Sequence, residues 1–396
     1  MDATRRWILS RSGAVALAGS LAGCATGPRE AAKPGLGNTL VLVELNGGND
    51  GLNTVVPWTD PLYARLRPRI GLAADDVVKL DDRLALHPGL APLRPAWDAG
   101  ELAIVLGVGY EKPNLSHFRS IEIWDTASDS AELRQDGWVA RALAPARSLP
   151  GRAAEGVVFG RPAIGPLLGA HARAVVMQDP GGFAQQARFV SKPAMPATAS
   201  PALQHVVATQ ADLRAAGDRV YEKISQMRIP LATQFPRSGI GSQMNSAARL
   251  IAAGIDVPVI KVSHGSFDTH TFQRNAHDRL MAELGAALAA FRRAMDERNA
   301  WGRVTVMTYA EFGRRPAENS AQGTDHGTAA PHFVLGGAVK GGFQGRQPSL
   351  ADLDSAGNLK PAVEFRSLYA TALARWWGID PVPVLGRRFD PVDVFV

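Results

Sequence analysis

The stretch Asn38–Leu45, NTLVLVEL, runs directly into Asn46–Thr54, NGGNDGLNT. The first half is a near-continuous apolar run rich in β-branched residues. A strand of that kind is buried on both faces, as the central strands of a parallel sheet are. The second half is a turn, in which Gly47 and Gly48 let the backbone reverse tightly and approach a ligand closely. Asn49, Asp50 and Asn53 crowd the same turn. They form either a ligand-binding set beyond a strand end or an Asx-type chain reversal.

Working outward, the pattern of strand and polar turn recurs. Glu101–Gly109 (ELAIVLGVG), Ala172–Gln178 (ARAVVMQ), Val257–Val262 (VPVIKV) and Arg303–Tyr309 (RVTVMTY) read as strands, and HFVLGGAVKGG, residues 332–342, as a last one. Between them lie helical periodicities at Pro201–Met227, Asn245–Gly254, Arg274–Asn299 and Glu364–Gly378. Residues 130–200 offer one clear strand, Ala172–Gln178, among Gly, Pro and Ala. The alternation predicts an α/β fold, doubly wound, with a mainly parallel sheet sandwiched by helices in one domain spanning 38–396. Sheets of this kind bind ligands beyond the C-terminal ends of their strands. Four strand exits, near Asp50, Asp268, Glu311 and His326, carry potential ligands, and parallel strands would bring them to one edge.

The densest of these exits is Val262–His270, VSHGSFDTH, with His264, Asp268 and His270. Asp268 and His270 are two residues apart, so in an extended segment both side chains leave one face. A carboxylate and an imidazole so placed suit Zn²⁺ or a similar divalent ion; a hydrogen-bonded surface loop is the alternative. A second motif, NLSHFRS at Asn114–Ser120, places Ser116 at the start of an apparent helix. Ser116 reads either as a capping serine or as a hydroxyl placed to attack a phosphoryl or sulfuryl group, activated by His117 or a metal. A third, AEFGRR at Ala310–Arg315, sets Glu311 before two guanidinium groups. Arg314 there is either a fork for substrate oxyanions or a partner in an ordinary salt bridge.

The 396 residues are 46% hydrophobic and 20% charged, ordinary for a globular chain. The formal charge of +6 is spread along the sequence and gives no nucleic-acid footprint. Thr4–Leu9, TRRWIL, looks like a twin-arginine export signal, followed by an apolar stretch too short to span a bilayer. The segment closes on Leu21-Ala22-Gly23-Cys24, which resembles a lipoprotein cleavage box. Cys24, the only cysteine, is therefore the expected lipidation site, with an ordinary cleavage site as the alternative. Residues 1–23 are the expected signal peptide and 24–37 a flexible tether. The expected partners are the twin-arginine export machinery and, through the lipid, a membrane. The expected address is the periplasmic side of the cell envelope.

Taken together, NGGNDGLNTVVP, NLSHFRSIEIW, GSFDTH, EFGRR and GTDHG, in this order behind a twin-arginine signal, resemble the domain-of-unknown-function 1501 family. The resemblance covers nearly the whole chain from Asn38. That family is grouped with the alkaline phosphatase-like, or sulfatase-like, superfamily. The grouping implies a doubly wound α/β sandwich with metal at the C-terminal edge of the sheet, hydrolysing or transferring phosphate and sulfate esters. By this resemblance Asp50, Asp268, His270, Glu311 and His326 are the expected metal ligands, and Ser116 the nucleophile. Asp325 and His326 offer a rival placement for one Asp-His pair. Phe312 stands where the superfamily has a histidine, so one divalent ion, zinc by its ligands, fits better than two. Asn49, Asn53 and His264 are expected to touch substrate, and His117 and Arg314 to assist catalysis. The implied function is an exported metal-dependent hydrolase acting on a small-molecule or polymer ester. The alternative is a non-catalytic lipoprotein that keeps the fold as a binding module.

Overall fold

A run with no polar alternation leaves no face for water, and Thr39–Leu45 is buried at every position. The computed structural model describes residues 33–145, 152, 154–169, 172–187, 189, 200–226 and 230–396. The twin arginines and Cys24 lie outside the described residues. The expected tether is tied down within its described part: the Gly35 N–H donates to the Trp376 carbonyl at 3.1 Å. Among the described residues, no helix is long and apolar enough to cross a membrane.

Among the described residues the main sheet has nine strands: β1 (Thr39–Leu45), β2 (Leu102–Gly109), β3 (Gly156–Phe159), β4 (Ala174–Met177), β5 (Val259–His264), β6 (Val304–Tyr309), β7 (Ala330–Gly336), β8 (Gly342–Gly345) and β9 (Val363–Glu364). Their order is β8-β2-β7-β6-β1-β5-β3-β4, with β9 joined to β2. β1 sits at the centre, parallel to β5 through Leu45↔His264 and to β6 through Glu44↔Tyr309. The expected parallel sheet has one exception, because β7 runs antiparallel to both β6 and β2. His326 therefore stands before the start of a strand, not at a strand exit. The reversal still leaves it at the common edge, since the N-terminal end of an antiparallel strand lies beside the C-terminal ends of its neighbours. The described residues between 130 and 200 hold two strands rather than one. The missed strand, β3, is four residues long and too short for periodicity to reveal.

Alternate residues of β1 serve opposite layers. Val41, Val43 and Leu45 pack under α2 (Gly239–Ala252) and α3 (Gln273–Glu297) through Met244, Leu280 and Leu284. Leu40 and Leu42 pack on the other side with α1 (His117–Thr126) and the C-terminal helical stretch, through Trp124, Phe365 and Trp376. This mostly parallel sheet with helices on both faces is the predicted architecture. A small three-stranded sheet, Val55–Val56, Ala85–Leu86 and Val78–Lys79, covers a third core cluster.

Candidate metal centre

The loops after β1, β5 and β6, the loop before β7 and the first turn of α1 meet at one edge of the sheet. The α1 helix is drawn there by Ser120, whose hydroxyl donates to the carbonyl of Glu311 just beyond β6. That contact carries His117, at the head of α1, over the sheet edge. His117 Nδ1 lies 2.8 Å from Glu311 Oε1. A carboxylate oxygen accepts, so Nδ1 donates and Nε2 is the atom left to ligate once the ring is neutral. His326 repeats the device, with Nδ1 2.7 Å from the Leu115 carbonyl. Both imidazoles are thus locked in the form that ligates through Nε2.

Asp268 stands between them. Its Oδ2 is 3.3 Å from His117 Nε2, and its Oδ1 is 3.3 Å from His326 Nε2. One ligand atom from each of His117, Asp268 and His326 lies within 4.8 Å of the others. His270 completes the ring, its Nε2 2.9 Å from Asp268 Oδ1 and 3.0 Å from His326 Nε2. The His117 imidazole is raised above its ordinary pKa, chiefly by the Glu311 hydrogen bond, while burial lowers that of His326. Against the pull of burial, the Arg314 hydrogen bond and charge hold Asp268 at about 2, so it is ionised at any physiological pH.

Arg314 is sealed beneath this group, its side chain fully buried. Its guanidinium donates to the carbonyls of Gly48 at 2.7 Å, Thr324 at 2.9 Å and Phe267 at 3.1 Å, to that of Gly47, and to Asp268 Oδ1 at 2.7 Å. Its fork is spent on the protein, so it does not reach out to substrate oxygens. Phe312, buried beside it, packs at a tilt against His117 and His326 at ring-centroid distances of 4.9 and 4.5 Å. The paired glycines are explained here. Gly47 at φ +112° backs onto the amide of Asp268, and Gly48 at φ +74° onto the Phe312 ring, with no room for a Cβ. Their close approach is to the protein's own loop and ring.

Other expected site residues fall elsewhere. The carboxylate of Asp50 is fully buried against Arg67 NH1 at 2.6 Å and Gln273 Nε2 at 2.5 Å. Burial would raise its pKa, but Arg67 outweighs that and holds it low. It is a neutralised structural anion and takes no place among the clustered ligand atoms. Asn53 is buried beside it, accepting from Arg67 at 2.7 Å and from Tyr63 at 2.8 Å. Asn49 is bound to Thr54 at 2.8 Å and His277 at 3.1 Å. His264 is buried, its Nε2 2.8 Å from the Leu280 carbonyl. None of these three is presented to a ligand. Glu311 supports His117 and accepts from the Gly47 N–H at 2.9 Å, both through Oε1, while its buried Oε2 has no hydrogen-bond partner. Ser116 starts α1 as an exposed residue whose side chain makes no capping bond. Asp325 faces the far nitrogen of His270, Nδ1, at 3.6 Å.

A cavity of about 530 Å³ opens beside the centre, lined by His117, Asp268, Glu311, Ser266, Phe118 and Arg161 among others. Its deeper wall carries an ion pair, Lys261 Nζ to Glu44 Oε2 at 2.5 Å, next to Asp125, whose carboxyl burial pushes up to about 8. These groups lie in none of the sequence motifs. The signal for them was present, since Glu44 and Lys261 are single charges inside otherwise apolar strand runs.

The residues present fit a metal. Two tautomer-locked imidazoles and an ionised carboxylate converge, a third imidazole stands within reach, and the buried His117 Nε2 has no hydrogen-bond partner. His117, Asp268 and His326 would hold the ion, with His270 beside them.

The sheet order and the two helical layers define an α/β fold built on a mostly parallel sheet. Solved structures with a similar chain course include an alkaline phosphatase superfamily protein from Vibrio parahaemolyticus, with 11% identity, a TM-score of 0.43, and 91% of this chain and 71% of that one covered. The PsFucS1 sulfatase from Pseudoalteromonas sp. has 9% identity, a TM-score of 0.34 and 90% and 70% coverage. The C-terminal periplasmic domain of EcEptC from Escherichia coli, in complex with Zn, has 8% identity, a TM-score of 0.35 and 90% and 82% coverage. No curated protein sequence matches the chain. The chain belongs to the family described as "Protein of unknown function (DUF1501)", whose model matches residues 38–387.

Proposed function

We propose that this protein is a metal-dependent hydrolase of phosphate or sulfate esters, using one divalent ion, zinc by the character of its ligands. The observation that carries the proposal is the pair of imidazoles, His117 and His326, each fixed by a proton acceptor behind it so that both Nε2 lone pairs face the Asp268 carboxylate. A bound ion would act as a Lewis acid toward the ester oxygen. The chain's own residues do the rest. Glu311 and the Leu115 carbonyl hold the ring orientations. Arg314 fixes Asp268 from below. Phe312 walls the centre with an apolar ring, and the adjoining cavity admits a small ester or the end of a polymer. Within this proposal the protein is exported by the twin-arginine route and anchored at the periplasmic side of the envelope through lipidated Cys24.

A second reading, a non-catalytic binding module, is favoured by the same Phe312 and by the internal saturation of Arg314. Metal content of the purified mature protein, followed by turnover of chromogenic phosphate and sulfate esters, separates the two. The hydrolase requires about one tightly bound divalent ion per chain, its loss in Asp268→Ala and His326→Ala, and metal-dependent turnover. A metal-free protein with no turnover leaves the binding module.

A further inference from the structure

Resting on the hydrolase reading, we infer that the attacking group is the hydroxyl of Ser266 and not that of Ser116. The choice comes from asking what each hydroxyl near the centre is already doing. Thr269 is buried and bonded to Gln273 Oε1 at 3.0 Å. Thr324 is bonded to the same oxygen at 2.7 Å. Ser120 is spent on the Glu311 carbonyl and Ser263 on Glu44. Ser116 is exposed at the head of α1 and is not among the residues of the cavity beside the metal centre. Ser266 is the one hydroxyl-bearing residue that lines this cavity, together with His117, Asp268 and Glu311. It is exposed, and among the described residues none is hydrogen-bonded to its side chain.

Its position is also fixed. The Phe267 N–H donates to the Asn46 carbonyl at 2.9 Å, and the Phe267 carbonyl accepts from Arg314 at 3.1 Å. Gly265 on the other side presses against the Asn46 carbonyl, where a Cβ would lie at 2.7 Å. A hydroxyl clamped between two such anchors pays little ordering entropy on the way to reaction. Arg161, exposed on the same cavity wall, supplies a cation for the ester's anionic oxygens.

Attack of Ser266 Oγ on phosphorus forms the Oγ–P bond and breaks the bond to the leaving alcohol. The seryl proton ends on the departing oxygen. Water then cleaves Oγ–P, returning the Ser266 hydroxyl and releasing inorganic phosphate. A sulfate ester follows the same balance.

Two measurements on the Zn²⁺-loaded mature protein test the assignment. The first is turnover of nitrophenyl phosphate and nitrophenyl sulfate by Ser266→Ala and Ser116→Ala, each checked for unchanged melting temperature and metal content. Ser266→Ala should lose about a thousandfold or more in kcat, and Ser116→Ala should stay within a few-fold of wild type. The second is labelling with a fluorophosphonate, with the modified residue mapped by mass spectrometry. The label should fall on Ser266. Retained turnover in Ser266→Ala, a label on Ser116, or no label overturns the inference while leaving wild-type hydrolysis as it stands. Failure of the wild type to turn over either ester counts against the hydrolase reading, and the labelling result still decides Ser266.

Discussion

Replacing Arg314 with methionine removes a cation but roughly preserves length and volume. Four carbonyls, those of Gly47, Gly48, Phe267 and Thr324, lose their donor, and Asp268 loses a partner at 2.7 Å. Breaking a buried charge pair from one side costs about 3–5 kcal/mol. Water reaching Asp268, whose side chain is 38% exposed, keeps the loss toward the lower end. At about 2 °C per kcal/mol for a large domain, the melting temperature should fall by roughly 6 °C. The stripped oxygens are hard donors of the type that bind Ca²⁺. Millimolar Ca²⁺ should therefore restore part of the melting temperature in Arg314→Met and do little for the wild type. Arg314→Lys should fall between, since an ammonium satisfies fewer of these acceptors than a planar fork. Scanning calorimetry or dye-monitored melting reads both effects. A variant that melts within about 2 °C of the wild type would refute the claim that this guanidinium holds the four loops together.

Glu311→Gln keeps an acceptor for His117 Nδ1 but removes the carboxylate behind the ring. It should weaken zinc affinity by about 10- to 100-fold in a chelator competition, with little change in melting temperature. Asp125 binds a proton more tightly folded than unfolded, its pKa being raised to about 8 by burial. Its contribution is complete below the ordinary carboxylate range and is lost as pH rises toward 8. Stability of the wild type relative to Asp125→Asn should then fall with pH across that window, on the order of 1 kcal/mol per pH unit, and urea melts at pH 5.5 and 8.5 that give the same difference contradict the assignment. Cys24→Ser should release the protein from the membrane fraction into the soluble periplasmic fraction if Cys24 carries the lipid, and fractionation with immunoblotting reads the outcome.

The fold was legible because parallel strands covered on both faces leave unbroken apolar runs, and these runs alternate with helical stripes. Strand direction is not written in such a run, which is why the antiparallel β7 and the true position of His326 emerge only from the structure. The edge that collects the site was legible in Asp268 and His270. The part of His117 was not, since sequence spacing sets it next to Ser116 and suggests an activator. Only the Ser120–Glu311 contact swings the head of α1 over the sheet and turns that histidine toward Asp268. Arg67, which neutralises Asp50, follows it by seventeen residues within no motif. A ligand-like aspartate in a glycine turn is indistinguishable from a buried ion-pair partner until that arginine is placed.

How many cations this edge accepts follows from where the chain has already put its own. Arg67 holds Asp50, and Arg314 holds Asp268 Oδ1 together with the carbonyls of the glycine turn. Phe312 fills the space between His117 and His326 on one side with carbon. A second divalent ion would need anionic oxygens, and those of Asp50 and Asp268 Oδ1 are each committed to a guanidinium that is fully buried. What stays without a partner is His117 Nε2, which faces Asp268 Oδ2, and Glu311 Oε2 behind that ring. In the proposed hydrolase Phe312 and the two buried arginines therefore support one ion rather than two: the charge that a second metal would bring is supplied by side chains.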